Sequence, residues 1–146
     1  MQHARRAVEL NPNNAWNQAD LGIVLVYIGE PEESLQYIKR AKDIDPYFDP
    51  PWYWRQAGQT YFMLRRFEDA LSMYQHIPVR TLRIAAYMAA CHARLDNDAG
   101  ARAAARECLA LQPRYSVRWH MLKEPYKRPA DAEFLAESLR LAGLPE

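Results

Sequence analysis

The stretch Trp54-Arg55-Gln56-Ala57-Gly58-Gln59-Thr60-Tyr61 decides the fold, because its spacing recurs on both sides. Gly22, Gly58 and Ala89 form one column, and Leu25, Tyr61 and His92 a second. Ser34, Ala70 and Ala101 form a third, and Ala41, Ile77 and Cys108 a fourth. Every column steps by 36 and then 31 residues. One pair of shifts that aligns four columns marks an internal repeat. A further unit precedes them: Ala7 and Pro12 return as Ala41 and Pro46, each 34 residues on.

The columns carry a packing rule. Small residues at Gly22 and Ser34, and again at Gly58 and Ala70, let two antiparallel helices approach closely. Leu25, Ile38, Tyr61 and Tyr74 fill the space beside that contact. A helix pair of this kind has an apolar stripe too wide to bury alone, and stacking the next pair covers it.

Turn chemistry sets the element ends. Gly29-Glu30-Pro31 stops one helix and opens the next, since proline suits a first helical turn. Pro50-Pro51 opens another. Asp96-Asn97-Asp98 offers helix-capping side chains, and Gly143 a C-terminal stop. Asp45-Pro46 and Gln112-Pro113 close second helices. The expected helices are 1–10, 15–28, 31–44, 51–64, 67–77, 81–95, 97–111, a short one at 115–122, and 130–142.

The fold class is therefore all-α: an α-solenoid of antiparallel helix pairs, half a repeat plus three repeats, with a C-terminal capping helix. Residues 1–14 are the second helix of a truncated repeat, 15–48 repeat one, 51–78 a shortened repeat two and 81–113 repeat three. Residues 114–146 form the cap, with Phe134, Leu135, Leu139 and Leu141 as its apolar side. Starting inside a repeat, the chain reads as the C-terminal piece of a longer protein.

Composition agrees. Ala, Leu, Arg, Glu and Gln dominate, and these are good helix formers. A net charge of +1 lacks the strong basic excess of a nucleic-acid binder. Cys91 and Cys108 form no C-x-x-C pair and read as buried free thiols in a reducing compartment. No apolar stretch approaches the roughly 18 residues of a membrane span. The N-terminus lacks an apolar signal core, so the cytoplasm is the expected location.

The stretch Trp54 to Tyr61 resembles the tetratricopeptide-repeat signature W-x2-L-G-x2-Y, with Ala57 in place of leucine. The resemblance continues through Phe67-Glu68-Asp69-Ala70-Leu71 to Tyr74. Repeat one keeps Leu21-Gly22, Ser34, Ile38, Ala41 and Pro46 but has Gln18 for the tryptophan; repeat three keeps Ala89, Ala101, Ala105 and Pro113. The match covers residues 1–113. Pro50-Pro51-Trp52-Tyr53-Trp54 and the ending from Arg128-Pro129 to Leu144-Pro145-Glu146 look like the C-terminal repeat region of bacterial class III adenylate cyclases. Similar regions end proteins with a winged-helix DNA-binding domain. The resemblance implies a bacterial signalling protein with its output domain upstream, and maps no cyclase active-site residue here.

Catalytic chemistry finds no foothold. His3, His76, His92 and His120 pair with nothing at metal-ligand spacing; His92 reads as a packed residue and His120 as a surface one. Glu30, Glu32 and Glu33 stand in a first helical turn, where negative charge suits the dipole. No cysteine has a positioned base, and the glycines are scattered, so no catalytic residue, metal or cofactor is expected. Arg114, Arg118, Lys123, Lys127 and Arg128, interleaved with Tyr115, Trp119 and Tyr126, read as a snorkelling cap surface; no nucleic-acid partner is expected.

In this family the first helix of each pair lines the concave face where partners dock. Steps of three and four place Trp16, Ala19, Ile23 and Tyr27 there from repeat one, and Trp52, Arg55, Gln59 and Phe62 from repeat two. Arg83, Ala86, Ala90 and Arg94 follow from repeat three. Aromatics mixed with arginines are typical of interface anchors, and suit an apolar segment flanked by acidic groups. Ala19 and Ile23 stand where some relatives carry a carboxylate-gripping lysine–asparagine pair, so that activity is not implied. The expected function is a non-catalytic interaction or regulatory module. Its partner is a protein, a peptide or its own upstream domain; the alternative is self-association into a homodimer.

Overall fold

The computed structural model describes residues 1–146 and contains nine helices and no strand. They are α1 (Gln2–Leu10), α2 (Ala15–Ile28), α3 (Pro31–Ile44), α4 (Pro51–Met63), α5 (Phe67–Tyr74), α6 (Leu82–Arg94), α7 (Asp98–Leu111), α8 (Val117–Met121) and α9 (Pro129–Leu141). α2/α3, α4/α5 and α6/α7 are the three antiparallel pairs, and α1 packs against α2 as the preceding half repeat. No helix is long and apolar enough to cross a membrane.

Local chemistry explains the boundaries. The side chains of Asn14, Thr81, Asn97 and Ser116 each accept a hydrogen bond from a first-turn amide of α2, α6, α7 and α8, satisfying donors that a helix start leaves free. Pro31, Pro51 and Pro129 occupy first-turn positions. Gly29 and Gly143 end α2 and α9 in left-handed conformation, at φ of 93° and 87°.

The turn inside each pair repeats more faithfully than its sequence. Gly29, Arg65 and Asp96 all have positive φ, the latter two 62° and 57°, and they obey the same 36- and 31-residue steps. Just after them, the amides of Glu30, Arg66 and Asn97 donate to the carbonyls of Leu25, Tyr61 and His92, each at 2.9 Å. This is the Schellman closure, in which an amide beyond the left-handed residue reaches back one helical turn. The backbone carbonyl of that column makes the same bond whether the side chain is leucine, tyrosine or histidine.

The close approach within each pair is geometric. A methyl on Gly22 would lie 2.9 Å from Ile38 and 3.3 Å from the Ser34 carbonyl. A methyl on Gly58 would lie 2.5 Å from the Tyr74 ring, so Tyr74 is what Gly58 accommodates. Ser34 seals the first crossing by donating to the Gly22 carbonyl at 2.7 Å, and its hydroxyl meets that of Thr60 at 3.1 Å.

The core is two linked bodies. Ala15, Ala19, Ile38, Ala41, Phe48, Tyr53 and Ala57 fill the first repeat junction. A larger cluster runs from Val26 through α4, α5, α6 and α7 and includes Leu135, Ala136 and Leu139 of α9. In the C-terminal part α9 packs along α6, while α8 packs on α9.

Candidate functional site

Helices α2, α4 and α6 lie side by side, and the C-terminal arm folds back across the face they share, called the inner face below. Between α8 and α9 the chain has no helix, and its side chains alternate. Lys123, Pro125 and Lys127 are exposed, Glu124 is buried and Tyr126 is half-buried. Alternation is the habit of an extended segment, whose successive side chains point to opposite sides. We call residues 123–128 the strap.

Glu124 is the strap's first anchor, with 2% of its side chain exposed. Arg83 donates to its carboxylate at 3.0 Å and Tyr27 at 3.4 Å. His120 meets its other oxygen at 2.9 Å, while the His120 Nδ1 faces the Tyr115 hydroxyl at 2.7 Å. Arg83 also donates to the Tyr27 hydroxyl, and to Gln59 at 3.3 Å. Burial works against the Arg83 charge, but Tyr87, Glu124 and Tyr27 outweigh it and hold its pKa above the ordinary value.

Tyr126 is the second anchor. Its hydroxyl accepts from the Gln59 amide at 2.7 Å and meets the Tyr87 hydroxyl at 2.7 Å. Its ring lies 5.0 Å from that of Tyr27. The Lys127 amide donates to the Tyr27 carbonyl at 2.9 Å. Arg128 lies over Gly29, where no side chain stands in its way, and reaches Glu30 at 3.2 Å.

Phe134 anchors α9. It sits 5.2 Å from Phe62 and 6.2 Å from Phe67. The guanidinium groups of Arg65 and Arg94 lie over its ring at 3.3 and 4.4 Å, a cation–π arrangement. Arg94 also donates to Ser138 at 2.8 Å.

The expected groove residues therefore divide. Tyr27, Gln59, Phe62, Arg83 and Arg94 lie on the inner face, beneath the arm. Gln59 and Phe62 are 1% and 0% exposed. Ala19, Ala86 and Ala90, expected to face outward, are buried instead; their small side chains serve helix packing. Ile23 lines a depression of about 400 Å³ with His3, Ala4 and Ala7 of α1.

The uncovered part of the face is aromatic. Trp16, 55% exposed, packs 5.2 Å from Trp52 and 5.3 Å from Phe48. Trp52 and Arg55 are half-buried, and the Arg55 Nε has no hydrogen-bond partner.

Two sequence expectations for the cap need correction. His120 is not at the surface; at 5% exposure it is held between Tyr115 and Glu124. The basic and aromatic residues of 114–128 do not share one surface. Arg114, Arg118, Lys123, Lys127 and Arg128 are exposed, whereas Tyr115 is buried and Trp119 and Tyr126 are half-buried. Lys123 covers the Trp119 ring at 3.8 Å.

The residues of this candidate site that sequence reasoning missed are Glu124, Tyr126 and Arg128, and His120 through Glu124. A signal existed in the alternation around Glu124 and Tyr126. Burial raises the thiol pKa of Cys91, and pushes that of Cys108 to about 12 with Glu107 adding to the rise. No three His, Cys, Asp or Glu side chains come together.

No family model and no curated protein matches the chain. Among solved structures it is similar to MamA, a tetratricopeptide-repeat protein, with a TM-score of 0.68 over 95% of this chain and 82% of that one. The sequences are 15% identical, so the likeness is one of fold: this chain has a tetratricopeptide-like α-solenoid.

Proposed function

We propose that the chain is a non-catalytic protein-interaction module that holds polypeptide segments on the face built by α2, α4 and α6. The observation that carries this reading is the strap. A non-helical segment already lies on that face, anchored by a carboxylate, a phenol and one backbone hydrogen bond. The open sector at Trp16, Trp52 and Arg55 has the aromatic and cationic character of an interface hot spot, and suits an apolar segment with acidic neighbours.

Photo-crosslinking in the host tests it. A photoreactive residue at position 52 or 55 should capture a protein partner. The same residue at the exposed positions of Arg102 or Arg106 on α7 should not. Equal capture from both faces, or none from the inner one, sinks the reading.

The narrower context is a cytoplasmic bacterial signalling protein, with a class III adenylate cyclase or a winged-helix domain upstream. It is supported by the resemblance of residues 50–54 and 128–146. The reading frame that encodes this chain tests it: an upstream sequence with neither domain would remove it.

A further inference from the structure

We propose that the strap is the built-in occupant of a peptide subsite, and that a partner's segment can take its place. This partner segment carries a carboxylate two residues before a tyrosine and a guanidinium two residues after it. The proposal rests on the reading of the inner face as a polypeptide-binding surface and names what one sector of it recognises.

The chemistry is read from the strap's contacts. The carboxylate position is set by Arg83, Tyr27 and His120, the phenol position by Gln59 and Tyr87. The backbone is registered by the Tyr27 carbonyl. The guanidinium position is set by the bare surface of Gly29 and the carboxylate of Glu30.

Three observations favour exchange over a permanent brace. First, the arm does not depend on the strap for its anchorage. Leu135 and Leu139 are fully buried in the main core, Phe134 is clamped by Arg65 and Arg94, and the Val117 amide donates to the Pro145 carbonyl at 2.7 Å. Second, the strap leaves its subsite incompletely paired. The Arg83 Nε is buried without a partner, and the Glu124 carboxylate meets Arg83 through Nη2 alone. A partner carboxylate free to bind both nitrogens would satisfy the fork that Arg presents. Third, a buried polar network adds little net stability over apolar packing of the same volume. What it does supply is discrimination, since an occupant lacking these groups would leave it unsatisfied.

The test uses the full chain and a fluorescein-labelled peptide of sequence Leu-Lys-Glu-Pro-Tyr-Lys-Arg-Pro-Ala, copied from residues 122–130. Tethering gives the strap an effective concentration on the order of millimolar, so wild type should bind the peptide weakly. The variant Glu124→Gln/Tyr126→Phe, whose strap competes less well, should bind at least tenfold more tightly by anisotropy. Adding Arg83→Met should abolish that binding, and a peptide with alanine for Glu and Tyr should not bind.

No saturable binding to a variant with intact helical circular dichroism overturns the proposal, as does binding indifferent to Arg83→Met. If the double variant does not fold, wild type decides. A large excess of peptide must then shift the amide resonances of Tyr27, Gln59 and Arg83, and unmoved resonances overturn it. Crosslinks at position 52 without peptide binding would remove this subsite and leave the interaction module standing. Absent crosslinks with peptide binding would sink the module reading for the open sector at Trp16, Trp52 and Arg55 and leave the strap subsite standing.

Discussion

Tyr87 and Tyr126 touch hydroxyl to hydroxyl at 2.7 Å, which ties the middle of α6 to a segment 39 residues further along the chain. Gln59 completes the junction from α4. Tyr126 is thus where the arm, repeat two and repeat three meet.

Tyr126→Phe removes one hydroxyl but strips a partner from both Gln59 and Tyr87. Leaving buried groups unpaired costs about 1–3 kcal/mol, so urea unfolding should show a loss of that size with an unchanged slope. A loss below about 0.5 kcal/mol, the level of an ordinary surface change, would mean that the junction is not closed in solution.

Tyr74 makes the opposite case. Its ring fills the space that Gly58 leaves open, yet its hydroxyl is buried without a partner, and burial raises its pKa. Tyr74→Phe should therefore be neutral or stabilising by up to about 1 kcal/mol, since it removes an unsatisfied group. Gly58→Ala should cost about 1–3 kcal/mol by overpacking against the ring. Paired thermal melts check the order; a Tyr74→Phe variant less stable than Gly58→Ala would contradict the packing described.

The left-handed turn column gives a third expectation. Asp96 adopts a φ of 57° at the place where repeat one has glycine. A side chain in that conformation costs about 1 kcal/mol, so Asp96→Gly should raise stability by roughly half to all of that. Arg65→Gly should not, because Arg65 also covers the Phe134 ring. Gly29→Ala should be the most damaging of the three, since a side chain is strained at its φ of 93° and Arg128 would have to move off the site. Chemical denaturation of the three variants tests the ranking.

That column also shows what the sequence could and could not reveal. Helix ends written in local chemistry, such as Gly29, Pro31, Pro51 and Gly143, were legible because each acts on its own turn. Periodic columns were legible because stacked pairs repeat the same contacts. The conformation shared by Gly29, Arg65 and Asp96 was hidden, because a backbone geometry can persist while side chains change. The arm was hidden for a different reason. It occurs once, so no repeat reports its partners, and Glu124 meets Tyr27 from 97 residues away. Its apolar residues Phe134, Leu135, Leu139 and Leu141 announced a packed helix but not which surface it would cover, and Leu141 proves exposed. His120 illustrates the consequence: beside Trp119 in the cap it read as surface, until Tyr115 and Glu124 closed around it.

Alkali should find the weakness of this core. Burial holds the thiols of Cys91 and Cys108 and the phenols of Tyr53, Tyr74, Tyr87, Tyr115 and Tyr126 above their ordinary pKa values, with Cys108 and Tyr53 at about 12. A raised folded-state pKa means that the native chain binds the proton more tightly than the unfolded one. The associated stability is complete below the unfolded values of 9.0 for a thiol and 10.0 for a phenol. It is lost as pH climbs through the folded ones. Within that window each such group removes about 1.4 kcal/mol per pH unit, so several together produce a steep fall. The melting temperature should be flat from about pH 7 to 8 and drop sharply beyond about pH 9, where thiols begin to ionise in the unfolded chain. At pH near 8 a thiol reagent should leave both cysteines untouched in the native chain and label both in urea. A melting temperature that holds through pH 11, or a native thiol that reacts at once, would show that these side chains are not sealed in the core.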